Sequence, residues 1–203
     1  MADELVFYTN PQSRGRIVRW MLEEVGAPYE TKVIQYGPEM KAAPYLAINP
    51  MGKVPAVVHD GQVITEVAAI ITYLADAFPQ AGLIPSNRAA FYRWMFFGAG
   101  PIEAAVTNAA LAVEVPPERS GMVGYGSLKA VLNTLEAQLL KAPYICGDAF
   151  SAADVYVGSQ IGYGMRFNTI EARPAFQDYW QRLSQRPALG RSTALNDALL
   201  PKG

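Results

Sequence analysis

The chain has 203 residues, 51% of them hydrophobic and only 17% charged, which is enough apolar material for one large domain or two small ones that fold unaided. Seventeen basic side chains against eighteen acidic ones leave no large charge excess, so nucleic acid is not expected as a partner. One cysteine and one histidine exclude an internal disulfide and a multi-cysteine cluster, and no metal site is expected.

The acidic start, Met1-Ala2-Asp3-Glu4, carries no apolar leader, and no apolar run reaches bilayer length; the expected setting is cytoplasmic, with no membrane partner. Glu4 to Tyr8 reads as a short buried strand broken by Thr9-Asn10-Pro11-Gln12. A helix follows, with Ser13 as its N-cap, Ile17, Val18, Met21, Leu22 and Val25 on one face, and Gly26 as its stop. Tyr29 to Gln35 is β-rich, and Met40 to Ile48 is an irregular helix interrupted by Pro44. Val54 to Val58 begins the next strand, Asp60-Gly61 reverses the chain, and Gln62 to Ile64 returns antiparallel. A serine-hydrolase triad would have to use His59; its place directly before Asp60-Gly61 makes it a turn residue in this reading, not a base. Thr65 then caps a helix striped with Val67, Ile70, Ile71, Leu74 and Phe78.

The order βαβ then ββα fits a small three-layer α/β domain over residues 1–79. Residues 80–86, with Gly82, Pro85 and Ser86, form a linker, and residues 87–203 show only helical periodicity, the mark of an all-α helical-bundle domain. Within it, Ser151 and Asp154 form a capping box flanked by Phe150 and Val155 as a hydrophobic staple.

Tyr8-Thr9-Asn10-Pro11-Gln12-Ser13-Arg14, Asn49 to Pro55, Ile64 to Ile70 and the capping segment Gly147 to Asp154, in that order, resemble the cytosolic glutathione transferases of bacterial type. The resemblance implies a thioredoxin-like N-terminal domain, a helical C-terminal domain, a homodimer, and glutathione as co-substrate without a further cofactor. The implied reaction activates glutathione as its thiolate for conjugation to, or reduction of, a small hydrophobic electrophile, as in detoxification. The alternative is a transferase-like binding or regulatory module with little catalysis.

The chemistry needs an anion stabiliser, because a free thiol with a pKa near 8.5 is only slightly ionised at neutral pH. Ser13 is the first candidate, a hydroxyl at the positive end of a helix, and it matches the family's serine or cysteine position. Asn10 and Tyr8 are the alternates, since the family also uses tyrosine and a different alignment brings Asn10 to the place. Arg14 and Arg16 fit the solvated face of the helix better than a ligand carboxylate. By resemblance Val54-Pro55 is a cis bond whose preceding residue pairs with the cysteinyl backbone, Lys53 approaches the glycine carboxylate, and Glu66 meets the γ-glutamyl ammonium. The usual serine after that acid is Val67 here, a lost hydroxyl that neighbouring Thr65 is placed to replace. The electrophile pocket is expected between the domains near Trp94, Phe97 and Tyr163, and Cys146 is read as a small buried apolar residue.

Overall fold

The computed structural model describes residues 4–200; residues 1–3, most of the acidic start, and residues 201–203 lie outside them. Contacts divide the chain into two units, Met1–Leu83 with Gln185–Gly203, and Ile84–Ser184.

The first unit is built on a four-stranded sheet in the order β2-β1-β3-β4. Its strands are β1 (Leu5–Thr9), β2 (Glu30–Val33), β3 (Ala56–His59) and β4 (Gln62–Thr65). β1 runs parallel to β2 and antiparallel to β3, which pairs antiparallel with β4. Its mixed sheet with helices is the expected thioredoxin-like arrangement. The Asp60-Gly61 turn holds φ of 48° and 78° between the paired residues His59 and Gln62, the geometry for which Asp-Gly is selected.

Helix α1 (Gly15–Val25) buries Ile17, Val18, Met21, Leu22 and Val25 and ends at left-handed Gly26, as its periodicity requires. Its start differs from the expectation. Arg14 holds the N-cap position and gives no side-chain cap, while the Ser13 hydroxyl accepts the Gly15 N–H at 2.9 Å. The segment after β2 forms a 3₁₀ turn over Glu39–Lys41 and then α2 (Ala43–Leu46). Pro44 stands in the first turn of α2 rather than interrupting it, because a proline there sacrifices no helical hydrogen bond. Helix α3 (Val67–Ala77) buries Ile70, Ile71 and Leu74, and its N-cap position is Glu66, not Thr65, which is the last residue of β4.

The last helix, α9 (Pro187–Asp197), packs on α1 within this unit. Polar side chains join the two. Arg186 grips the Glu24 carboxylate at 2.6 and 2.7 Å, and Trp20 Nε1 donates to Glu24 at 2.8 Å. Arg191 pairs with Glu23 at 3.0 Å and Arg16 with Asp197 at 2.7 Å. Arg19, 3% exposed, donates to Asn196 at 2.9 Å and lies over the Phe7 and Tyr29 rings. Arg16 is therefore held within the fold rather than forming a solvated face.

The second unit is helical: α4 (Arg88–Phe97), a π-helical turn over Gly98–Ile102, α5 (Glu103–Ala110), α6 (Leu128–Leu139), α7 (Ala152–Arg166) and α8 (Pro174–Ser184). The start of α7 is its polar centre. The buried Asp154 carboxylate accepts from the Ser151 N–H at 2.8 Å, the Ser151 hydroxyl at 2.9 Å, the Ile145 N–H at 2.7 Å and the Tyr179 hydroxyl at 2.7 Å. Burial pushes the Asp154 carboxyl up, and these four donors oppose that shift. The capping segment thus organises the helical core, as its sequence suggested.

Candidate active site

Strand register gathers three separate motifs. Tyr8 of β1 pairs with Ala56 of β3, and Ala56 pairs with Thr65 of β4. The C-terminal end of β1, the start of β3 and the end of β4 therefore lie at one end of the sheet. Residues 10–14, 53–55 and 66–67 continue from those three strand ends, and α1 and α3 both begin there. Two helix N-termini, each with partial positive charge, face the same region of the unit; the first N–H of α1 is bonded to Ser13 Oγ, whereas α3 has no side-chain cap.

The turn from β1 into α1 is held by Asn10, a residue 3% exposed. Its Nδ2 donates to the Ile34 carbonyl at 3.0 Å and its Oδ1 accepts the Gln12 N–H at 3.0 Å. The backbone carbonyl of Asn10 accepts the Ser13 N–H at 3.0 Å and the Ser13 hydroxyl at 2.7 Å. Ser13 is half-buried. Its oxygen thus receives one donor from the first turn of the helix and gives its own proton to a turn carbonyl. Tyr8 is half-buried among different neighbours: its ring lies 5.9 Å from that of Tyr45 and packs with Val54 against the cluster of Ile34, Met40 and Tyr45.

The segment before β3 is equally fixed. The Lys53 carbonyl accepts the Tyr45 hydroxyl at 2.6 Å and Asn49 Nδ2 at 2.8 Å. Asn49 Oδ1 accepts the Met51 N–H at 3.1 Å, and the Lys41 ammonium donates to the Met51 and Gly52 carbonyls, each at 2.9 Å. Burial, with Tyr8 nearby, pushes the Tyr45 hydroxyl up to about 12, so it remains a protonated donor at neutral pH. Gly52 sits at φ 56° with the Met40 carbonyl only 2.8 Å from where a Cβ would be; no side chain fits. The Val54–Pro55 bond is cis, as the resemblance implied. Among the described residues neither the N–H nor the carbonyl of Val54 has a hydrogen-bond partner. The Lys53 side chain is exposed. Tyr45 and Lys41 were not singled out in the sequence, because a tyrosine and a lysine in an irregular helix carry no motif of their own.

Glu66 is exposed and holds φ 66°, ψ 122°, a conformation that costs a non-glycine residue about 1–3 kcal/mol. Its carboxylate makes no capping bond to α3, which leaves both the acid and the first N–H groups of the helix open to other partners. Val67, the first residue of that helix, supplies no hydroxyl.

These motifs coincide with independent likenesses. The N-terminal domain of glutathione S-transferases matches residues 13–77, and the C-terminal domain matches residues 64–182. The glutathione S-transferase GstB of Escherichia coli strain K12 is 32% identical over 184 residues, covering 83% of this chain and 86% of the relative. The chain belongs to the glutathione S-transferase family. The crystal structure of a glutathione transferase from Methylococcus capsulatus superposes with a TM-score of 0.78 at 28% identity, covering 96% of this chain and 99% of its own. A sphingomonad glutathione S-transferase complexed with glutathione gives a TM-score of 0.73 at 26% identity, covering 95% and 98%.

The other singled-out residues belong to different elements. His59 ends β3 instead of standing in the turn; it is 8% exposed, its Nδ1 is 2.9 Å from the Tyr73 hydroxyl, and its ring stacks on Phe78. In the helical unit Trp94 is 1% exposed and packs edge-on against Phe97 at 5.2 Å, a core contact, whereas half-buried Tyr163 stacks with exposed Phe167. Cys146 is half-buried, and burial pushes its thiol up to about 11, so it stays protonated at neutral pH and is a poor nucleophile.

One contact decides whether the β1–α1 turn can close. A Cβ on Gly15 would lie 2.0 Å from Thr9 Oγ1 and 3.0 Å from Ser13 Oγ. Gly15→Ala is expected to destabilise the protein by about 2 kcal/mol or more, read as a lowered denaturation midpoint, whereas Gly190→Ala, exposed within α9 with open space where a Cβ would lie, raises the midpoint slightly, since alanine is favoured over glycine in a helix interior by about 0.5–1 kcal/mol.

Proposed function

We propose that this glutathione S-transferase binds glutathione at the end of the sheet, ionises its thiol and delivers the thiolate to a small hydrophobic electrophile, by conjugation or by reduction. The observation that carries the reading is the half-buried Ser13 hydroxyl, fed by the Gly15 N–H at the start of α1, beside a strand end whose Val54 N–H and carbonyl are open. An extended cysteinyl backbone pairs with Val54 as a short added strand, which brings its sulfur toward the first turn of α1. Lys53 is the cation for the glycine carboxylate. Glu66 accepts from the γ-glutamyl ammonium while the first N–H groups of α3 hold the carboxylate beside it. With Val67 in place of a serine, the hydroxyl of Thr65 is the remaining side-chain donor there. Relatives bearing the transferase name, GstB among them, favour catalysis over a binding or regulatory module.

Ser13 supplies the chemistry by donating to sulfur. A hydrogen bond to a charged group contributes about 1.5–3 kcal/mol, equivalent to a thiol pKa lowered by about one to two units. Asn10 is a weaker candidate for the same role, since its Nδ2 and Oδ1 are already engaged with Ile34 and Gln12. No cofactor beyond the co-substrate is required by this chemistry.

Homodimerisation, a cytoplasmic setting and a role in detoxification belong to the same reading. Exposed Met51 (68%) and Phe96 (73%) give the units apolar surface for self-association. The lone cysteine suits a reducing compartment, and among the described residues no helix is long and apolar enough to cross a membrane. Sedimentation is expected to give twice the chain mass at micromolar concentration with glutathione present; a monomer there overturns the dimer.

Ser13→Ala is the direct test of the chemistry. Glutathione affinity should stay nearly intact, while turnover with a chloronitrobenzene at neutral pH falls about ten- to hundredfold, the kinetic equivalent of the lost hydrogen bond. Raising the pH should restore part of that rate. Unchanged turnover in Ser13→Ala, alongside a deficient Tyr8→Phe, would move the role to Tyr8.

A further inference from the structure

We infer that Asn10 is a positioning residue that holds the Ser13 hydroxyl ready for transfer from a turn carbonyl to the glutathione sulfur; the inference rests on the reading of Ser13 as the sulfur's donor. Asn10 is buried, and both polar atoms of its side chain serve to fix its own stretch of backbone. Nδ2 ties it to the Ile34 carbonyl beyond the end of β2 at 3.0 Å, and Oδ1 ties it to the Gln12 N–H at 3.0 Å. Pro11 follows it, a residue suited to the second position of a turn, and the turn closes through the Ser13 N–H on the Asn10 carbonyl at 3.0 Å.

That carbonyl is where the Ser13 proton rests, at 2.7 Å. It has two lone pairs and three donors, since the Thr9 hydroxyl also points to it at 3.4 Å. When the Ser13 hydroxyl rotates toward a sulfur anion, the carbonyl keeps the Ser13 N–H and the Thr9 hydroxyl, so no buried acceptor is orphaned and the penalty for an unmade bond is avoided. The Ser13 oxygen meanwhile keeps the Gly15 N–H at 2.9 Å, which polarises the O–H in both positions. Asn10 thus acts through Ser13 and does not touch the sulfur.

The test is a double-mutant cycle read on the thiol of bound glutathione, titrated by its ultraviolet thiolate absorbance, with unfolding midpoints recorded in parallel. Ser13→Ala should raise that pKa by about one to two units. Asn10→Ala is expected to raise it by at least half as much in the wild-type background and to add nothing in the Ser13→Ala background. If Asn10→Ala does not fold, Asn10→Ser takes its place: it keeps an oxygen for the Gln12 N–H, loses the bond to Ile34, and is read in the same way. An unchanged thiol pKa in a folded Asn10 variant overturns the inference, and so does a shift that persists when Ser13 is already alanine. A Ser13→Ala protein that titrates like wild type instead overturns the underlying assignment of Ser13, so the two failures are distinguishable.

Discussion

The sheet end of this glutathione S-transferase where α1 begins depends on a close approach of strand to helix. Thr9, fully buried at the end of β1, stands so near the first residue of α1 that only a residue without a Cβ can occupy position 15. That contact lets the turn of residues 10–14 fold tightly, with Ser13 bonded to both the Asn10 carbonyl and the Gly15 N–H. A looser junction would separate the hydroxyl from the helix end, and the two stabilise an anion best when they act on one point.

Register extends the same constraint across the sheet. Because β3 runs antiparallel to β1 and β4 antiparallel to β3, segments far apart in sequence end side by side. The Lys53 carbonyl, clamped by Tyr45 and Asn49, fixes the residue before Val54, and Glu66 enters α3 through a left-handed conformation that a glutamate rarely adopts. The loop before β3 also rests on apolar packing, since Val54 lies against the cluster of Ile34, Met40 and Tyr45. Its carbonyls at Met51, Gly52 and Lys53 are held by Lys41, Tyr45 and Asn49, which fixes the chain there while the Val54 backbone stays open.

Much of this was legible in the sequence, and the losses have physical causes. The apolar faces of α1 and α3 and the Asp60-Gly61 hairpin follow from period and turn chemistry, so the order of elements along the chain and the helical second half were foreseeable. Caps were less so: Ser13 and Thr65 are good capping residues, yet tertiary register carried β4 through Thr65 and began α1 two residues after Ser13. The seating of α9 on α1 was hidden, because it is made by Arg186, Arg191 and Asp197 meeting partners more than 160 positions away. Periodicity reports a helix's apolar stripe and is silent on such polar pairings. The sense of the Ser13 motif rests on a family resemblance, whereas the bonds of Asn10 to Ile34 and Gln12 are visible only in the fold, since one asparagine in a turn reads alike whether it binds a ligand or its own backbone.

The central claim is that this end of the sheet lowers the pKa of a bound thiol, and titrating wild-type protein saturated with glutathione, by the ultraviolet absorbance of the thiolate, tests it most directly. The account predicts a thiol pKa about one to two units below the ordinary value near 8.5, with the anion already predominant close to neutral pH. A bound thiol that titrates at or above the free value would contradict it.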